Sequence, residues 1–241
     1  MSWQERYLER FYTRRPGWEG GTSIFHRMCA GAVSSGGTVL EIGAGPSNQT
    51  TRMLASLSTV HGVDIDPDVR LNDALASAHV ISGDAYPFPA ETFDACVSDY
   101  VAEHVEFPER HLREVFRVLK PGGRYVLRTP NLFHYVALVS RLTPHWFHVR
   151  VANRLRGAAD GAHEPYPTFY RMNTRATLVR LASGAGLKVE TLDLIEREPS
   201  YGMFARPAFL ALTAYERIVN ATPVLEELRS NIFAVLRKPG G

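Results

Sequence analysis

Cysteine is nearly absent from this chain of 241 residues, which has only Cys29 and Cys96. Two thiols make no disulfide framework, and Cys96 sits in an apolar run where a thiol behaves as a small buried hydrophobe, so a reducing cytoplasm is the expected location. Excess charge is absent too. The 27 Lys and Arg against 25 Asp and Glu leave a formal +2, too little for the basic stripe of a nucleic-acid binder. No apolar run approaches the length of a membrane span, so stable insertion is not expected. Met1 to Arg15 is dense in Glu and Arg without an apolar core, unlike a signal peptide. Metal signatures are missing: there is no cysteine pair and no His-Glu-x-x-His, and His145 and His148 follow Pro144 with no third ligand indicated. No strand is followed by the Gly-x-Ser-x-Gly of a nucleophilic hydrolase.

What is present is concentrated in Thr38-Val39-Leu40-Glu41-Ile42-Gly43-Ala44-Gly45-Pro46-Ser47. It reads as a short buried strand turning into a helix that begins near Ser47, with glycines where the backbone bends tightly and approaches a ligand. A dinucleotide fingerprint would need a third glycine where Asn48 stands, and a phosphate-binding P-loop would need a lysine that is not there. Glu41 at the strand tip would repel phosphate but accept hydrogen bonds from an amino group or stabilise a cation. S-adenosylmethionine fits, since it carries an ammonium, a sulfonium and no phosphate, and its carboxylate can sit at a helix N-terminus.

Glu41-x-Gly43-x-Gly45, Gly62-Val63-Asp64, Gly83-Asp84-Ala85 and Leu119-Lys120-Pro121-Gly122-Gly123 stand in that order. Together they resemble the ordered motifs of the class I S-adenosylmethionine-dependent methyltransferases, in the ubiquinone-biosynthesis-like small-molecule branch. The resemblance implies a Rossmann-like, doubly wound α/β fold with a seven-stranded sheet. That sheet is mostly parallel, with an antiparallel last strand between the fifth and sixth and helices on both faces. It implies an enzyme that moves a methyl group onto a small molecule, with Glu41, Gly43, Ala44, Gly45, Asp64, Ile65, Asp84 and Ala85 around the cofactor. Asp64 would accept the ribose hydroxyls, and Asp84 would accept from the adenine amino group.

Periodicity supplies the remaining elements. The spacing predicts helices over residues 2 to 15, Thr22 to about Ser34, 108 to 119, and Thr174 to Ala185. Strands are expected at Val60 to Ile65, Val80 to Ser82, Phe93 to Ser98, Arg124 to Thr129, Leu187 to Ile195 and Ser230 to Lys238, with Gly122 and Gly123 ending the fourth helix. The segments Glu198 to Tyr201 and Ala208 to Asn220 read as helical. Four stretches follow: leading helices over residues 1–37, a cofactor-binding core over 38–130, a variable lid over 131–176, and a C-terminal part over 177–241. Trp3, Tyr12 and Trp18 are expected to pack against the core, with substrate contact as the alternative.

Ligands of parallel sheets bind beyond the carboxyl ends of the strands, so the tip Ser98-Asp99-Tyr100-Val101-Ala102-Glu103-His104-Val105 faces the reaction centre. It lacks the double proline that the family uses for adenine or glutamine amino groups, which turns the expectation toward an oxygen acceptor. His104 is the first candidate for a general base, followed by Tyr100 and His134, with Glu103 and Asn131 behind them. The lid holds Arg141, Arg150, Arg154, Arg156, Arg171 and Arg175 against Asp160 and Glu164. Such a surplus points to an acidic acceptor; a solvated helical face, or a stretch touching lipid through Val136, Leu138, Val139, Trp146 and Phe147, are the alternatives. Two other functions remain open at this stage. One is a catalytically silent methyltransferase-like binding module; the other is a nicotinamide-dependent reductase, although no tyrosine has a lysine four residues on.

Overall fold

The computed structural model describes residues 1–137, 166–199 and 202–240. Seven strands form one sheet in the order β3-β2-β1-β4-β5-β7-β6. They are β1 (Thr38–Ile42), β2 (Thr59–Asp64), β3 (Ser77–Val80), β4 (Phe93–Asp99), β5 (Leu119–Pro130), β6 (Lys188–Ile195) and β7 (Asn231–Arg237). Strands β1 to β5 pair in parallel, with Glu41 between Gly62 and Val97. β7 runs against β5: Gly122 N donates to Lys238 O at one end and Asn131 N to Ser230 O at the other. The apolar runs that marked these strands are the core. Val39, Leu40, Val97, Val126, Leu127 and Phe233 are sealed, as continuous hydrophobic strands covered on both faces must be.

Two compact units divide the chain: one holds Met1–Ile24, Asn131–Pro167 and Leu194–Asn231, the other Phe25–Pro130, Thr168–Asp193 and Ile232–Gly241. In the first, α1 (Trp3–Leu8) opens with a capping box between Ser2 and Glu5 and widens into a π-helical turn at Glu9–Thr13. Its aromatic face closes on the buried Phe209 of a later helix, Arg206–Ala221, with Trp3, Tyr7 and Tyr12 at 6.4, 5.6 and 6.2 Å between ring centroids. Packing is therefore what Trp3 and Tyr12 do, as expected. The second unit carries most of the sheet with α2 (Gly21–Ala32, all but its first turn), α3 (Gln49–Ala55), α4 (Pro108–Val118) and α5 (Arg175–Gly184); the Phe209 helix is α6.

Four local expectations change. The helix after β1 starts at Gln49 rather than Ser47, because Asn48 is its N-cap and accepts from Thr51 N. β3 lies at Ser77–Val80, upstream of the expected Val80 to Ser82, since Asp64 O, opposite Val80, takes the last bond from Ile81 N at 2.8 Å. Gly122 and Gly123 do not end α4. That helix gives way at Leu119, and the glycines sit inside β5 in the stretch where its register against β4 shifts, Gly122 at φ +82° and Gly123 where a Cβ would meet Lys120 O at 2.9 Å. Glu198 and Pro199 are not helical, and Ser200 and Tyr201 lie outside the described residues, as do Leu138, Val139 and the lid residues from Arg141 to Glu164, with His145, Trp146, Phe147 and His148 among them.

Candidate cofactor and active site

The glycine turn after β1 is held from three directions. Gly43 takes φ +72°, where a side chain would be strained, and an added Cβ would lie 2.3 Å from Val101 Cγ2. Gly45 takes φ +53° with open space where a side chain would project. Its N–H donates to Asp64 Oδ2 at 2.8 Å, and Asp66 N donates to Oδ1 at 2.9 Å, so the tip of β2 fixes both the turn and the aspartate. The third support is Asn72, which the sequence did not single out. Its buried amide donates to Gly45 O at 3.2 Å and Thr51 Oγ1 at 3.0 Å, while Asn48 Nδ2 reaches Ala44 O at 2.8 Å.

Glu41 is 4% exposed and its Oε2 has no partner. Burial pushes its carboxyl up to about 7, against the pull of Thr51 and Asn48 beside it. Ile65, next along from Asp64, leaves 55% of its surface bare. Asp84 is half-buried and Ala85 exposed in the loop beyond β3, four residues or more past the strand.

A second constellation surrounds the tip of β4. Arg128 on β5 grips Asp99 with two parallel bonds, Nε to Oδ1 at 2.6 Å and Nη2 to Oδ2 at 2.5 Å. Its guanidinium lies 4.6 Å from the Tyr100 ring centroid and 5.0 Å from that of Phe25. Thr50 Oγ1 links Asp99 Oδ2 to His26 Nε2, at 3.4 and 3.1 Å. Tyr100 stands at φ +57°, a strained position for a non-glycine, with its N–H on Arg128 O and 40% of its surface open. Beneath the strand, Ser98 Oγ, Tyr125 OH, His111 and Tyr86 OH form a buried hydrogen-bonded chain with links of 2.7, 3.0 and 3.0 Å. A charged residue inside an apolar strand, such as Arg128 in Tyr-Val-Leu-Arg-Thr, is the signal that could have flagged this cluster.

His104 ends a short 3-10 turn, Ala102–His104, with its Nε2 4.0 Å from Glu103 Oε1 and its side chain about one-third exposed. Glu103 itself is buried. Thr129 Oγ1 donates to it at 3.0 Å, burial raises its carboxyl, and its backbone carbonyl accepts from Phe169 N and Tyr170 N. Glu103 thus ties this turn to β5 and to the chain returning at Phe169. Arg171 is exposed and donates to Glu106 O at 2.6 Å; Arg175 reaches Leu192 O at 3.4 Å.

The structure therefore gathers Glu41, Gly43, Ala44, Gly45, Asp64, Ile65, Asp84, Ala85, Tyr100 and His104 into one unit. His134 belongs to the other, 5% exposed, with its Nε2 3.4 Å from Glu196 Oε2 and its pKa lowered by burial to about 4. Asn131 is in that unit too, its amide spent on Glu227 O and Arg229 O at 2.7 and 2.8 Å. Among the described residues no group of three metal-ligating side chains occurs, and no helix is long and apolar enough to cross a membrane.

Comparison with known proteins bears on the fold that carries these residues. An uncharacterized methyltransferase of Mycolicibacterium vanbaalenii is 36% identical over 121 residues, 46% of this chain and 42% of that protein, so the match spans less than half of the relative's length. A SAM-dependent methyltransferase of Methanosarcina mazei shares the fold at a TM-score of 0.58 and 17% identity, over 89% of this chain and 98% of that one. So does a Haemonchus contortus phosphoethanolamine N-methyltransferase solved with phosphomonomethylethanolamine and S-adenosylhomocysteine, at 0.56 and 17%, over 96% of this chain and 56% of that one. Residues 40–127, which hold most of β1, all of β2 to β4 and most of β5, match the methyltransferase domain family.

Proposed function

We propose that the protein is an S-adenosylmethionine-dependent methyltransferase acting on a small-molecule acceptor, with a hydroxyl or carboxyl oxygen favoured over nitrogen or carbon. The observation that carries this reading is the buried, unpartnered Oε2 of Glu41 beside the open glycine turn. An orphaned carboxylate oxygen is costly unless something bound to the protein donates to it or neutralises it.

The residues present fit an adenosyl cofactor. Glu41 would accept from its ammonium, and open space at Gly45 lets a ligand come against the backbone. Asp64, steadied by two backbone N–H groups, keeps lone pairs for ribose hydroxyls. Bare Ile65 offers an apolar surface for a purine, with Asp84 and Ala85 at its polar edge. A pyrophosphate-bearing nicotinamide cofactor suits the site less, because Glu41 would repel it. S-adenosylmethionine, when bound, supplies a methyl group already activated on a sulfonium.

The protein's own tasks are then alignment, exclusion of water and handling of the acceptor proton. His104 takes that proton on an imidazole nitrogen. Tyr100, held at its strained φ by Arg128, shapes the wall beside it. His134 is sealed and neutral, and we assign it no proton transfer. The exposed Arg171 supports an acceptor with an acidic group. Both cysteines are buried and unpaired, which supports the cytoplasm as location.

Calorimetric titration with S-adenosylmethionine, S-adenosylhomocysteine and a nicotinamide cofactor tests the reading. Both adenosyl ligands bind the wild type, and Asp64→Ala weakens them by roughly tenfold or more, the loss of a charged hydrogen-bond acceptor. Binding of the nicotinamide instead, or of no adenosyl ligand, overturns it. Methyl transfer to a panel of hydroxy and carboxylic acids then separates an enzyme from a silent binding module.

A further inference from the structure

The unit built from the N-terminal helix, the end of β6 and α6 contains a cavity of about 440 Å3 that the methyl-transfer reading does not use. That volume is in the range of small-molecule sites. Its wall is dominated by Arg15, Arg197, Arg217 and Arg229, with Trp18 and Glu196 among the other lining residues. Arg217 and Arg229 are already anchored, the first on Phe11 O at 2.9 Å and Glu216, the second on Leu194 O at 3.1 Å. Arg15 is exposed at the rim.

Three lining residues carry polar atoms that have lost water and gained no hydrogen-bond partner: Trp18 Nε1, Arg197 Nε and Glu196 Oε2. The first two can only donate. Glu196, 3.4 Å from His134 Nε2, near Glu216 and Tyr215 and next to Arg197, is raised by burial to about 8, so at neutral pH it adds less than a full negative charge to the wall. Glu216 adds one negative charge, but its oxygens are engaged by Arg217, by Asn220 at 2.7 Å and by Tyr12 at 3.4 Å. The wall is thus rich in positive charge and in unspent donors, the complement of an anion.

We propose that this cavity binds a small molecule bearing a carboxylate or phosphate group, held by the Arg197 guanidinium and the Trp18 N–H. The proposal does not rest on methyl transfer, since none of the lining residues belongs to the cofactor site.

The test is titration of the full chain at pH 7 with inorganic phosphate and, separately, with citrate, each against chloride of matched ionic strength, by calorimetry and thermal shift. Phosphate, citrate or both bind saturably and raise the melting temperature, and the stronger of the two arms identifies the anionic group. Arg197→Gln weakens that binding by roughly tenfold or more, as expected for a charged donor, and Trp18→Phe weakens it by a smaller factor. S-adenosylhomocysteine titrated in parallel binds equally to wild type and both variants, so failure of the anion site and failure of the cofactor reading give different results. If Arg197→Gln does not fold, Trp18→Phe, which keeps an aromatic ring at the position while removing the indole N–H, carries the test. No saturable binding above chloride, or binding unchanged in the folded variants, overturns the proposal.

Discussion

Between pH 6 and 8 the free protein should change its response to S-adenosylmethionine because of one side chain. The Glu41 carboxyl is raised from its ordinary 4.5 to about 7 by burial. At pH 6 it is therefore about nine-tenths protonated, and at pH 8 about one-tenth. A cationic ligand seated against it favours the carboxylate, so binding at pH 6 expels close to one proton from the protein, and binding at pH 8 very few. Calorimetry in buffers of different ionisation enthalpy reads this directly, and Glu41→Gln removes the difference. The same shift sets a stability window. A carboxyl whose folded pKa is raised favours the fold fully below about 4.5 and loses that contribution as pH rises through about 7. The span of about 2.5 units corresponds to roughly 3 kcal/mol, since one unit is about 1.4 kcal/mol. Ligand-free Glu41→Gln should match the wild type near pH 4.5 and exceed it at pH 8 by up to that amount in urea denaturation. Equal proton release by wild type and variant at pH 6 would refute the placement of the cation at Glu41.

Other perturbations probe the frame around that site. Gly43→Ala forces a Cβ to 2.3 Å from Val101 Cγ2 at φ +72°; it should cost roughly 1–3 kcal/mol in chemical denaturation, and Gly43→Ala with Val101→Ala should recover only part, because the backbone strain stays. Arg128→Met leaves Asp99 without its partner inside the protein and should cost about 3 kcal/mol, whereas removing both charges with Asp99→Asn added should cost less, as a double-mutant cycle would show. Glu196, raised to about 8, favours the fold below 4.5 and loses that contribution as pH climbs to 8; Glu196→Gln should flatten thermal stability over this interval, and an unchanged pH profile would contradict its burial as a neutral acid.

Strands, glycine turn and the acids at the strand tips were legible in the chain because each rests on local chemistry. A continuous apolar run buried on both faces has no alternative but the middle of a sheet, and two glycines one residue apart at a strand end, Gly43 and Gly45, mark a backbone that must turn. Asp64 could be read because its distance from Gly45 reflects one strand-helix-strand unit. The places where local reading slipped were boundaries. Gly122 and Gly123 look like a helix stop, yet the bonds that both make to Lys238 draw them into β5, and only the sheet reveals that partner. The bracing of the turn by Asn72 and the pairing of His134 with Glu196 join residues distant along the chain with no local signature, and the charge of Arg128 inside an apolar strand marks a buried partner without saying that it is Asp99. The tertiary structure alone decided which buried polar atoms found partners, because a partner is a matter of packing geometry. The sequence by itself determined the core strands and the acids at their tips, while the fold decided that Glu41 is left with an unpaired oxygen and that an arginine-lined cavity stands beside Glu196.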